Sequence, residues 1–349
     1  DIGQTHRPKD KCYNFDFMNL LRKALFPLSC VYDGITRLRN AAYSKGWLKS
    51  ESFSIPTIVV GNLSAGGTGK TPMVAYLTEL LQKDHKIALL SRGYKRKTTG
   101  FQLANSKSTP EQLGDEPYQL YQQFDNVVVA VDEDRPHGVQ SLISIHSDLE
   151  GILLDDAYQH RKLEPSFRIL LTTYNQPWFR DCLLPSGNLR EAAVGKNRAD
   201  VVVVTKCPTD LSEEDIDLFK SKLPFIPHQA LFFTSIVYDD YLLGAQKQLL
   251  SDFVHQDFVL VTGIANPIPL LSHLDELGAR YTHLAFADHH AFSQSDIKKM
   301  DGYNQPILTT EKDYVRLKQH KLNELYYLPI QQHFLSKKSA FDDLIISQF

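Results

Sequence analysis

No stretch of this 349-residue chain runs to the ~18 consecutive apolar residues that a membrane-spanning helix needs, so no segment reads as one. Cysteine is scarce and scattered. Cys12, Cys30, Cys182 and Cys207 form no C-x-x-C pair, which argues against a zinc site or a disulfide framework and fits a reducing compartment. An excess of positive charge is also missing: the net charge of −3 leaves no overall nucleic-acid footprint, and no nucleic-acid partner is expected. With 42% apolar and 23% charged residues, the composition is that of a folded globular protein with length enough for two domains. The chain begins on Asp rather than Met. Residues 1–14 are assigned to no domain, and Asp1–Lys11 read as a processing remnant or an artefact.

What is present is concentrated first in Ser64–Thr71, SAGGTGKT. Ile58, Val59 and Val60 before it form the β-branched run of a buried parallel strand, and apolar residues at helical spacing follow Pro72. Strand, glycine-rich turn and helix make a phosphate loop. Amides of Ser64, Ala65, Gly66, Gly67, Thr68 and Gly69 would cradle a nucleotide's phosphates, aided by the helix dipole. Lys70 would reach the β- and γ-phosphates, and the Thr71 hydroxyl would ligate Mg²⁺. Two glycine-loop features are absent: Ser64 stands where the G-x-x-x-x-G-K-[ST] pattern has glycine, and Ala65 where a variant loop has lysine. The plain alternative is an ordinary glycine-rich turn before Lys-Thr.

The flanking segments add further candidates. Phe15–Leu48 carries apolar residues at helical spacing (among them Leu28, Ile35 and Leu38), with Pro27 kinking or dividing the helix and a basic opposite face. Such a helix either lies in the plane of an anionic bilayer or packs on its own domain. Strands are expected at Lys86–Leu90, Val127–Val131, the Gly151–Asp155 run, Phe167–Thr172 and Asp200–Thr205. Gly114-Asp115-Glu116-Pro117 opens a helix, where Asp115 reads either as an N-cap or as a carboxylate ready to accept a proton. Asp155 and Asp156, ending an apolar strand downstream of the phosphate loop, are candidate Mg²⁺ ligands; the alternative is turn residues. Arg190 would steady a transferring phosphoryl group or form a surface ion pair. Thr205-Lys206 lacks the aspartate that reads guanine, Pro208 standing in its place. The expected organisation is a phosphate-loop parallel-sheet domain over 49–229, a short hairpin linker over 230–251, and a smaller α/β domain over 252–349. That second unit has no phosphate loop, and its polar highlight, Asp288-His289-His290, sits at a strand end where a capping or surface role would serve equally well.

Taken together, GN…GGTGKTP (Gly61–Pro72), SRGY (Ser91–Tyr94), GDEP (Gly114–Pro117), LLDDAYQHR (Leu153–Arg161), LPSGNLRE (Leu184–Glu191), Thr205-Lys206, FADHH-x-FS (Phe286–Ser293) and TTEKD (Thr309–Asp313) resemble the tetraacyldisaccharide 4′-kinases. The paired aspartates precede Ala157-Tyr158 where that family usually has Gly-Phe. The resemblance implies phosphorylation, by ATP with Mg²⁺, of the 4′-hydroxyl of a tetraacylated glucosamine disaccharide 1-phosphate at the cytoplasmic face of the inner membrane. No obligate protein partner is implied. It assigns Asp155, Asp156, Thr71 and Glu191 to the metal, Asp115 as base coupled to His289, and Arg190 and Tyr94 to the phosphate site. It also favours the membrane-surface reading of residues 15–48. Two other classes fit the phosphate loop alone: an ATPase or GTPase acting on a protein partner, and a soluble small-molecule kinase.

Overall fold

The structure, a computed structural model, describes residues 22–223, 226, 229–322 and 324–349. Its larger sheet has nine strands: β1 (Thr57–Asn62), β2 (Ile87–Ser91), β3 (Gln102–Leu103), β4 (Val128–Val131), β5 (Gly151–Asp155), β6 (Phe167–Thr173), β7 (Val201–Thr205), β8 (Ala230–Tyr238) and β15 (Ile330–Phe334). Their order is β15-β8-β7-β6-β1-β5-β2-β4-β3. Strand β1 runs parallel between β5 and β6, and only the outer β3 and β15 pair antiparallel. Near-continuous apolar runs such as Ile58–Val60 and Val201–Val204 follow from this position, because both faces of each strand are covered. On one face, Met73, Val74, Leu77 and Leu81 of α2 (Lys70–Leu81) join the core. On the other, Val139 and Leu142 of α5 (Arg135–Ile145) do so.

The second sheet has six strands, β9 (Tyr241–Gly244), β10 (Gln248–Leu249), β11 (Phe258–Thr262), β12 (Tyr281–Ala285), β13 (Ile307–Thr310) and β14 (Leu325–Leu328), ordered β10-β9-β14-β13-β11-β12. Helices α8 (Ile268–Glu276), α9 (Gln294–Asp301) and α10 (Glu311–Leu317) connect its parallel strands. Ser293 and Thr310 cap α9 and α10, each accepting a bond from an amide three residues on.

Two features differ from the sequence expectation. Residues 230–251 do not form one linking hairpin: β8 extends the large sheet beside β7, whereas β9 and β10 pair within the second sheet. The two-stranded connection is instead β8 with β15, Tyr238 opposite Ile330. Residues 330–349 therefore return to the large sheet rather than completing a unit over 252–349. Phe341 and Ile345 of α11 (Lys338–Ile346) are fully buried in the α2-side core, and Tyr76 of α2 donates to Asp342 at 2.5 Å. The cause is the pairing of strands about 90 residues apart in the chain, which no local pattern encodes.

Helix α1 (Phe26–Ser44) realises the described part of the N-terminal segment, with Pro27 in its first turn, where its missing N–H removes no helical bond. Residues 15–21 of the expected helix lie outside the described residues. Its burial is inverted: Ser29 and Thr36 are buried, while Leu28, Val31, Ile35 and Leu38 are 57–67% exposed. No helix among the described residues is long and apolar enough to cross a membrane.

Candidate active site

The phosphate loop is built from the end of β1. Asn62 Nδ2 donates to the Ser64 carbonyl (2.7 Å) and the Thr68 hydroxyl (2.8 Å), and Thr205 Oγ1 at the end of β7 donates to the Thr68 carbonyl (2.7 Å). Gly66 and Gly69 take φ of +116° and +86°, left-handed turns that L side chains resist. The Lys70 and Thr71 amides, opening α2, have no carbonyl of their own helix to bond. The Ala65 amide donates instead to the Asn188 carbonyl at 2.6 Å, so the entry of the loop is spent on tying it to the LPSGNLRE segment. Beside Gly67, the Lys206 ammonium lies 3.8 Å from where a Cβ would stand. Burial, and then the neighbouring Lys70 charge, lowers the Lys206 ammonium from its ordinary value.

The paired aspartates of β5 have different environments. Asp155 is buried, its Oδ2 accepts only a long bond from Ser91 (3.3 Å), and its Oδ1 has no partner among the described residues. Burial, with the Glu116 and Asp156 charges adding, pushes its carboxyl up to about 7 against the pull of Lys70 and Arg135. Asp156, at a left-handed φ of 47°, receives both contacts of Arg190 Nη1 (2.9 and 3.0 Å) and lies 3.6 Å from the Lys70 ammonium. Burial alone would raise it, but the Lys70 and Arg190 charges bring it below its ordinary value.

Arg135, buried at the start of α5, donates to the Asp132 carbonyl and, at 3.5 Å, to the Asp155 carbonyl. Its charge faces the aspartate pair, a placement that no local pattern announces. Glu191, expected at the metal, is held by three donors: Asn40 of α1 (2.9 Å), Gln159 (3.1 Å) and Arg198 (2.8 Å). Tyr158, where the resembled family has Phe, donates from its hydroxyl to the Gly195 carbonyl at 2.8 Å.

No three Asp, Glu, His or Cys side chains converge as a ready-made metal cluster among the described residues. A hexacoordinate Mg²⁺ does not need one, since it binds through one or two protein oxygens, waters and substrate phosphates. The orphaned Asp155 oxygen and the Thr71 hydroxyl at the start of α2 fit that donor set. A dication beside Asp155 would also relieve the cost of its buried charge.

Across from this centre, Asp115 and His289 meet from different sheets. Asp115 is the first residue of α4 (Asp115–Gln123), not its cap. Gly114 holds the cap position at φ +91°, where a Cβ would stand 3.1 Å from Gly93, and no side chain caps the helix. This contact seats GDEP against SRGY. His289 Nδ1 lies 3.2 Å from Asp115 Oδ2, and Lys312 Nζ lies 3.0 Å from His289 Nε2 and 3.4 Å from Glu116. Arg316 Nε is 3.7 Å from Asp115, while its guanidinium also bonds the His290 carbonyl (2.8 Å) and Asp313. Burial would raise the Asp115 carboxyl, but the His289 hydrogen bond and the Arg316 and Lys312 charges hold it below its ordinary value. Tyr94 is 62% exposed, its ring edge-on to His289 at 6.0 Å, so it flanks this pair. Lys312 and Arg316 carry no local pattern that marks them, because what they face comes from α4 and the His289 loop.

Helix α1 is fastened to the same loops through its polar side. Ser29 Oγ donates to the Leu183 carbonyl (3.0 Å), Tyr32 Oη to the Arg190 carbonyl (2.7 Å) and Arg39 to the Gln159 carbonyl (2.6 Å).

Comparison with known proteins agrees across the chain. A family model for tetraacyldisaccharide-1-P 4′-kinase matches residues 21–349. A tetraacyldisaccharide 4′-kinase of Flavobacterium johnsoniae is 48% identical, with 94% of this chain and 97% of the relative covered. That of Bacteroides thetaiotaomicron is 42% identical, with 93% of each covered. The solved structure of LpxK from Aquifex aeolicus in complex with ATP superposes with a TM-score of 0.77 at 30% identity, covering 94% of this chain and 99% of that one.

Proposed function

The chain belongs to the tetraacyldisaccharide 4′-kinase family, and from that membership we propose which of its residues carry out the phosphoryl transfer and where in the cell they do so. The reaction is the ATP-dependent phosphorylation of the 4′-hydroxyl of a tetraacyldisaccharide 1-phosphate in lipid A biosynthesis. Neither a protein-directed ATPase nor a soluble small-molecule kinase is favoured.

In the proposed mechanism, the Gly66–Thr71 loop binds the nucleotide phosphates, and Lys70 neutralises the β/γ oxygens. Thr71 and Asp155 would hold Mg²⁺, whose chemistry there would be to neutralise charge on the phosphate oxygens. Asp156 keeps Lys70 and Arg190 pointed at the transferring group. Glu191, through Asn40 and Arg198, locks α1 and the LPSGNLRE loop in place around it. Asp115 takes the proton of the 4′-hydroxyl as that oxygen forms its bond to the γ-phosphorus and the bond to the ADP oxygen breaks. His289 orients the carboxylate. The observation that carries this reading is the 3.2 Å contact of Asp115 with His289, made next to Glu116, whose charge acts on Asp155. The base and the metal carboxylate thus share one site. The two sheet-centred bodies, joined through β8 and β15, close over the nucleotide.

The protein works at the cytoplasmic face of the inner membrane, with α1 lying in the lipid surface. In support, Leu28, Val31, Ile35 and Leu38 stand on one exposed helical stripe, continued by Trp47 (68% exposed), while the polar side of α1 is docked. The test is turnover of radiolabelled ATP with and without the lipid disaccharide. Lipid-dependent transfer supports the reading, and equal ATP hydrolysis without lipid refutes it.

A further inference from the structure

Lys312 is a residue of this site that the reaction as described leaves without a task. It stands in the first turn of α10, on the second sheet, and reaches across to two groups at once. Its ammonium is 3.0 Å from His289 Nε2 and 3.4 Å from Glu116, the residue after Asp115 on α4. An ammonium has three donors and no acceptor, so the nitrogen it faces must offer a lone pair. The proton of His289 is then on Nδ1, the nitrogen 3.2 Å from Asp115 Oδ2. We propose that Lys312 is a positioning residue for the phosphoryl transfer: by occupying Nε2 it keeps His289 a neutral imidazole whose Nδ1–H is aimed at the Asp115 carboxylate.

The other charges around the ring pull in both directions. From α4, Asp115 faces it, while Glu116 meets Lys312 instead; from its own loop, Asp288 Oδ2 is 4.0 Å from Nε2. Two carboxylates beside one imidazole favour a second proton on the ring. From α10, Lys312 and Arg316 oppose that proton, and Tyr94 contributes only a ring edge. The distinction matters for the base. A doubly protonated His289 would pin Asp115 in a full ion pair and weaken it as a proton acceptor, whereas a neutral Nδ1–H donor orients the carboxylate and leaves it basic. Because Lys312 also grips Glu116, the arrangement exists only while α10 and α4 are in contact. The left-handed backbone of His289 (φ 60°), with its amide on the Gly263 carbonyl (3.2 Å), presents the ring to this position.

The inference rests on reading Asp115 and His289 as the proton-accepting pair, and the two fail separately. Lys312→Met and Lys312→Arg are made in the full chain and assayed with ATP and lipid disaccharide across pH. Lys312→Met should move the acidic limb of kcat/KM upward by about one pH unit or more, the effect of removing an adjacent charge. Its kcat at neutral pH should fall by less than the roughly 10²- to 10⁴-fold that losing the base itself costs. Lys312→Arg should restore most of the profile, and KM for ATP should change little in either variant. Independently of activity, ¹⁵N-histidine spectra of the wild type, with the His289→Gln spectrum identifying the resonance, should show His289 protonated on Nδ1 and bare at Nε2 at neutral pH. An Nε2–H or doubly protonated His289 in the wild type, or an unmoved pH profile in a folded Lys312→Met, overturns the proposal. Near-normal turnover of Asp115→Asn would instead overturn the base assignment and leave the tautomer measurement standing.

Discussion

Two carboxylates of this site, Asp115 and Asp155, are perturbed in opposite directions, and that difference separates their tasks. Asp115 has a hydrogen-bond donor and cations around it, so it stays ionised throughout the neutral range. Asparagine in its place keeps the shape but accepts no proton at that oxygen, and since Asp115 caps nothing, no helix cap is lost. Asp115→Asn should therefore cost roughly 10²- to 10⁴-fold in turnover with a small change in melting temperature, measured by steady-state assay beside thermal unfolding. Asp155 is the reverse case. Its folded-state value, about 7, lies above that of an unfolded Asp, so the fold favours the protonated form. Stability from this group is greatest below the ordinary value near 4 and is lost as pH rises towards 7. Without nucleotide or Mg²⁺, Asp155→Asn should melt higher than wild type at pH about 8, and the advantage should shrink as pH falls towards about 4. The same variant should lose Mg²⁺-dependent transfer. A wild-type Mg²⁺ dependence would remove Asp155 from the metal site. Lys70→Ala, with the β/γ charge unopposed, should lower transfer by roughly 10²-fold or more.

At the scale of elements, α1 shows how a helix is docked and exposed at once. Its contacts to the site run through Ser29, Tyr32, Arg39 and Asn40, while its aliphatic stripe points away from the protein. Replacing Ile35 and Leu38 with Asp should release the protein from anionic vesicles in a flotation assay and reduce activity on lipid substrate. Nucleotide affinity and melting temperature should be preserved, because neither side chain is part of a core. Unchanged flotation would assign the stripe to another partner. Helix α11 makes the contrasting case. Phe341 is fully buried against Phe232 and Phe334, with ring centroids at 5.1 and 4.6 Å. Phe341→Ala should cost about 3–5 kcal/mol in chemical denaturation of the phosphate-loop body, although this residue lies at the far end of the chain.

For the whole molecule, the contact of Asp115 with His289 depends on two bodies touching. Asp115 and His289 are 174 residues apart and come from helix α4 beside the large sheet and a loop of the second sheet. If they act as one unit, the Asp115→Asn, His289→Ala double variant should lose far less turnover than the product of the single losses. Simple multiplication of the two effects would show that each works alone.

The local patterns of the chain determined much of this protein. The β-branched run before a glycine turn and Lys-Thr pointed to a buried strand, a turn and a helix, since its backbone and side chains interact at short range. The Asp-Asp end of β5 was legible for the same reason. Tertiary structure alone decided that β15 crosses back to pair with β8, that Gly114 rather than Asp115 caps α4, and that the Glu191 carboxylate is taken up by Asn40, Gln159 and Arg198. It also decided that Lys312 reaches His289. Each of these depends on groups far apart in the chain, or on how closely two backbones approach, and a pattern read along the sequence carries neither distance.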